Sequence, residues 1–188
     1  MQLIDRVRNI VVQPKNEWPK IADEATTPQS LYVNYVMILA AIGPLAILLR
    51  SGGMAIAPAI VQYLIALLVT FLLALIVDGL APTFGGQKNF VESLKLVAYS
   101  YTAAWIAGVF LVVPTLGGIV SLLAAVYGWY TFYLGVPLLK KCPQDKAVAY
   151  TIVVVICAIA LVVMLAGFVF SFLVGGGTMA AGALGMLH

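Results

Sequence analysis

The sequence predicts an all-α membrane protein: a polytopic helical bundle of five transmembrane helices, with an amphipathic surface helix ahead of them. Three observations carry this. First, 63% of the 188 residues are hydrophobic and 9% are charged, against about 45–50% and about 25% in soluble domains. Ten Lys and Arg with seven Asp and Glu cannot coat a globule of this length in water. Second, apolar runs occupy 31–49, 57–80, 94–113, 116–137 and 148–174, each close to the roughly 20 residues that a helix needs to cross the hydrocarbon core. They lack the inside/outside alternation of membrane barrel strands. Third, Arg6, Arg8, Lys15, Lys20, Lys88, Lys95, Lys140, Lys141 and Lys146 all fall on one side of the resulting topology, with Arg50 alone on the other. The positive-inside rule then predicts a cytoplasmic N-terminus and a C-terminus outside.

The elements follow in order. Within residues 1–30, Leu3, Ile4, Val7, Ile10 and Val11 share one helical face, while Gln2, Arg6, Asn9 and Gln13 lie opposite. A helix of this kind can lie on the membrane, with Arg6, Arg8, Lys15 and Lys20 at anionic headgroups and Trp18 as an interfacial anchor. The other arrangement packs it against the cytoplasmic end of the bundle. No apolar core of a signal peptide is present in the first twenty residues. The membrane domain is expected over 31–174, its spans separated by Arg50-Ser51-Gly52-Gly53, by Pro82 with Gly85-Gly86, by Pro114 and by Lys140-Lys141-Cys142-Pro143. Residues 175–188, opening on three glycines, are expected to form a flexible tail.

Inside the spans, Gly117, Ser121, Ala124, Gly128, Thr131 and Gly135 recur every three or four residues and make one small-residue seam. Small faces let helix backbones approach closely in lipid, so the seam reads as a packing surface, with Cys157, Ala160, Gly167 and Ser171 of the fifth span as the expected partner. Ala104 and Gly108 add a shorter face on the third span. Tyr99 and Tyr101, with Gln62, Thr70 and Ser171, could line an interhelical polar path, or belong to an aromatic belt and interhelical hydrogen bonds. Asp78 sits at the C-terminal end of the second span, where the helix dipole disfavours an anion, and so needs a cation. Lys88 and Lys95 are the candidates on that side, and Glu92 and Lys95 have the spacing of a helical ion pair.

Catalytic and cofactor chemistry find no motif. The single histidine is His188, and no metal spacing, phosphate loop or dinucleotide fingerprint occurs. Cys142 and Cys157 suggest neither a disulfide framework nor a redox motif. The basic residues are divided among span ends rather than gathered in a stripe, which argues against nucleic acid as a partner.

Ala81-Pro82-Thr83-Phe84-Gly85-Gly86, followed by Lys88 and Phe90, resembles the bacterial branch of the Yip family, the Rab/Ypt-interacting membrane proteins. Pro14, Trp18 and Ile21 resemble the segment before its first span, and Pro114 with Gly117 its short hairpin. Tyr133-Leu134-Gly135-Val136-Pro137, with Lys141-Cys142-Pro143, resembles its fourth-span exit. The resemblance covers roughly 10–172 and implies five spans, a cytoplasmic N-terminus and a place in the bacterial inner membrane. It names a fold more than an activity.

Two functions are therefore expected. The first is a non-enzymatic organiser, without cofactor, that meets lipid, a membrane-protein partner or a second copy of itself through its cytoplasmic face. The residues assigned to that face are Asp78, Phe84, Gly85, Gly86, Lys88, Glu92 and Lys95. The second is a small transporter or channel using Asp78, Gln62, Tyr99, Tyr101 and Ser171.

Overall fold

In lipid every backbone N–H and C=O must be paired within the chain, so the apolar runs become helices. The computed structural model describes residues 3–185, and among these the side chains of all but Pro114, Phe170 and 172–185. Five helical segments are long and apolar enough to cross a membrane: Pro28–Arg50, Ile56–Phe84, Phe90–Val112, Thr115–Leu139 and Gln144–Val169. These are the first to fifth spans, and no strand occurs among the described residues.

The third span is the centre of the bundle. It packs against the first, second and fourth spans, whereas the fifth lies along the second and fourth. In its most apolar stretch 56% of the third span is buried, against 17% for the fifth. Leu94, Leu96, Val97 and Ala98 are fully enclosed, a run possible only for a helix surrounded on all sides.

Two spans depart from regular α-helix. The first turns π-helical over Tyr32–Val36. The third breaks at Tyr101 and ends in a 3-10 stretch, Gly108–Val112. At that end the first and third spans touch backbone to backbone: a Cβ on Gly108 would lie 2.9 Å from Gly43 Cα. Of the short face of the third span, Gly108 thus meets the first.

The N-terminal segment forms two helices, α1 (Leu3–Val12) and α2 (Pro14–Asp23), with Pro14 at the opening position where its missing N–H costs nothing. They fold against one another and lie along the third and fourth spans. Of the two arrangements open to this segment, packing on the bundle is the one found for its inner face. Ile10 and Ile21 are 1% exposed and Trp18 is fully buried. Trp18 is therefore no interfacial anchor, and Arg6, 5% exposed, does not meet headgroups. The reason is hydrogen bonding: the Trp18 indole donates to Thr131 O (3.0 Å), and Arg6 donates to Glu17 (2.7 Å) and to Glu24. Arg8, Lys15 and Lys20 remain exposed, as do Ile4 and Val12.

The expected tail is helical over 175–185. The last helix runs Gln144–Gly185, through Gly175, Gly176 and Gly177. Glycine weakens a helix by about 1 kcal/mol without terminating it, and no proline intervenes. Residues 186–188 of that tail lie outside the described residues.

Candidate functional site

The chemistry-bearing residues gather at the end of the bundle where the second span stops, the third and fifth begin and the fourth ends. Asp78 is held by three donors: Asn89 N (2.7 Å), Ser93 Oγ (3.0 Å) and Lys140 Nζ (2.9 Å). Lys140 is fully buried and also donates to Asn89 O (3.1 Å) and Ser93 Oγ (2.7 Å). Burial pushes the Lys140 ammonium below the usual lysine pKa, and the Asp78 carboxylate opposes that push. Neither Lys88 nor Lys95 is the partner of Asp78, which corrects the sequence expectation. Lys88 is exposed, and Lys95 is spent elsewhere.

Lys95 makes the helical pair with Glu92 (2.9 Å) and reaches two backbone carbonyls, Ile21 O (3.1 Å) and Glu24 O (2.7 Å). Those carbonyls close α2, so a charge on the third span caps its C-terminal end. The cation missing for Asp78 comes from 62 positions downstream, where no local spacing points to it.

The glycine turn is joined to the same knot. Gly85 adopts φ +75, a left-handed conformation that closes the 3-10 turn Ala81–Phe84. Gly86 leaves room for the next backbone, since a Cβ there would lie 2.9 Å from Lys140 O. Gln87 N then donates to Lys140 O (2.8 Å). The Phe84 ring stacks on Tyr150 at 5.0 Å, and Phe84 O accepts from Cys142 Sγ (3.2 Å). Burial raises the Cys142 thiol above its usual pKa. Segments 81–90 and 133–143 are thereby one surface, with Lys88 and Lys141 exposed on it and Lys146 exposed beside Gly85.

The small-residue seam faces inward, with a different partner from the one expected. A Cβ at Gly117 would lie 2.7 Å from Phe110 O, at Gly128 2.9 Å from Ser100 O, and at Gly135 2.8 Å from the Trp18 ring. Thr131 is buried, and Ser121 and Ala124 are half-buried. The third span and α2 occupy the seam, and the small face of the fifth span points away: Ala160, Gly167 and Ser171 are exposed, and nothing lies within 4 Å of a Cβ on Gly167.

The residues of the expected polar path are dispersed. Gln62 lies beside Gly43 near the opposite end, and Thr70 bonds its own helix at Ala66 O (2.8 Å). Tyr99 opens on a polar cleft beside α1, whereas Tyr101 lines an apolar cavity of about 260 Å³ among the second to fifth spans. Ser171 is exposed. Among the described residues no three His, Cys, Asp or Glu side chains gather as a metal site.

Five apolar helices, with the third packed between the first, second and fourth and with charges tied at one end, define a multi-pass integral membrane protein. The model of the Yip1 domain matches residues 8–167, most of the chain. The protein belongs to that family. Among curated proteins and among solved structures nothing matches it.

Proposed function

We propose that the protein is a non-enzymatic membrane organiser that docks a protein partner on its charged end, with that end cytoplasmic. The observation that carries this reading is the locked surface formed by 81–90 and 133–143. Its cations divide into two sets. Lys140 is consumed inside the fold by Asp78, while Lys88, Lys141 and Lys146 stand exposed around a turn fixed by Gly85 and Gly86. A rigid surface with outward charges gives specificity at low ordering cost. The concentration of basic residues at this end supports the cytoplasmic side, and membership in the Yip1 family supports a membrane task without catalysis.

The test is isolation in polymer-bounded native membrane patches, followed by comparison with Lys88→Glu/Lys146→Glu. A partner that co-isolates with the parent protein and is lost with the variant, at unchanged melting temperature, is the expected result. Equal recovery from both would reject the surface as the docking site.

A further inference from the structure

Beside α1, apart from the docking surface, lies a polar cleft of about 310 Å³ whose wall includes Arg6, Glu24, Thr26, Ser30, Asn34 and Tyr99. It opens where the first span begins, since Ser30 is two residues into the segment Pro28–Arg50. Three features of this wall go beyond the needs of packing. One is charge. Arg6 is shared by two carboxylates, the buried Glu17 and Glu24, whose side chain is 45% exposed. Lys20 takes the second oxygen of Glu17 at 3.1 Å, so the four charges balance, and of the Glu24 carboxylate only Oε2 meets a donor, Arg6, among the described residues. The carboxylate left facing water is thus suited to a cation.

Another is an unspent hydroxyl. Tyr35 uses its oxygen on Thr102 at 2.7 Å, but the Tyr99 hydroxyl has no hydrogen-bond partner among the described residues, although Tyr99 is only 8% exposed and lines the cleft. The last is backbone. The π-helical segment Tyr32–Val36 contributes Asn34 to this wall, and such widened turns recur at functional sites. Beside Asn34 on the same helix, Val33, Met37 and Ile38 are exposed and apolar.

We infer that this cleft binds the headgroup of a phospholipid whose polar end joins an ammonium to a phosphate. The ammonium faces Glu24, and the phosphate meets the neutral donors of Ser30, Thr26, Asn34 and Tyr99. The acyl chains follow Val33, Met37 and Ile38. Arg6 is held by Glu17 and Glu24, so the donors left free are neutral, and beside a carboxylate they select against an anionic headgroup with no cation of its own. The inference rests on the reading of the chain as a membrane organiser and gives it a lipid partner at a separate site.

The experiment is native mass spectrometry of the full chain in detergent, titrated with phosphatidylethanolamine, phosphatidylglycerol or water-soluble glycerophosphoethanolamine. One phosphatidylethanolamine is expected to stay bound. Ser30→Ala/Asn34→Leu, both at exposed positions, and separately Tyr99→Phe, each weaken it about tenfold, as loss of hydrogen bonds to a charged group does. The lipid-free variants melt with the parent. Equal retention of phosphatidylglycerol overturns the ammonium assignment. Equally tight binding of the soluble diester makes a free amine-phosphate the ligand and overturns the lipid source. Unchanged affinity in all variants overturns the cleft as the site. Lys88→Glu/Lys146→Glu leaves lipid binding intact whether or not it loses a protein partner, so failure of the docking surface and failure of the cleft are read separately. Loss of lipid in that variant would move the lipid to the docking surface and overturn the cleft.

Discussion

Lys140 and Asp78 show what a buried pair costs to break from each side. With Lys140 fully enclosed and Asp78 at 20% side-chain exposure, the two partners are unequal. Asp78→Asn leaves an ammonium enclosed without a counter-ion and is expected to cost about 3–5 kcal/mol. Lys140→Met removes the more costly charge, and Asp78 keeps Asn89 N and Ser93 Oγ as donors, so the expected loss is smaller, roughly 1–2 kcal/mol. Equilibrium unfolding in mixed micelles measures both, and a larger loss for Lys140→Met would reject this ordering. Lys95→Met frees Glu92, whose carboxylate also favours the charged Lys140, so its effect should couple to that of Asp78→Asn rather than simply add. In the sequence, the need of Asp78 for a cation was legible from the helix dipole, and the Glu92–Lys95 pair from its spacing of three. The identity of the cation was not, because Lys140 reaches Asp78 only once the end of the fourth span is folded back to the end of the second.

At the scale of the elements, all five spans are visible as apolar runs because lipid imposes a length on them that no tertiary contact alters. Which faces meet is a different matter. A small-residue stripe says that a backbone can come close and leaves open whose backbone comes. The fourth span's stripe receives the third span and the ring of Trp18, and the fifth span's stripe receives neither. Trp18 misleads in the same way, since its residue type suits an interface and only the carbonyl of Thr131, 113 positions away, draws it inside. The glycines of the fourth span allow a clean comparison. Gly128→Ala places a methyl 2.9 Å from the Ser100 carbonyl oxygen, and neither backbone can yield cheaply. The expected cost is about 1–3 kcal/mol. Gly118→Ala meets nothing within 4 Å and should be neutral or stabilising by up to about 1 kcal/mol through helix propensity. Matched thermal melts in one detergent decide it, and similar shifts for the two would place the seam on the lipid side.

For the molecule as a whole, the question is whether the bundle is dry. A pathway needs polar groups in sequence along one line, and the groups that the sequence offered for it lie in different surroundings. Tyr101 shares its cavity with Ala104, Ala125, Val155 and Ile159, and an apolar cavity of this kind admits acyl chain or stays empty rather than holding water. Gln62 and Ser171 are on other elements, and Ser121 stands in the seam against the third span. Single cysteines at Gln62, Tyr101, Ser121 and Ser171, placed after Cys142 and Cys157 are replaced, should therefore resist a membrane-impermeant thiol reagent applied from either side. Cysteines at Lys88 and Gly52 should label freely and from opposite sides, with Lys88 reached from the cytoplasm if the basic residues set the orientation. Labelling at Tyr101 or Ser121 would mean water among the third to fifth spans, and it would favour transport over a packed bundle that acts through its charged end.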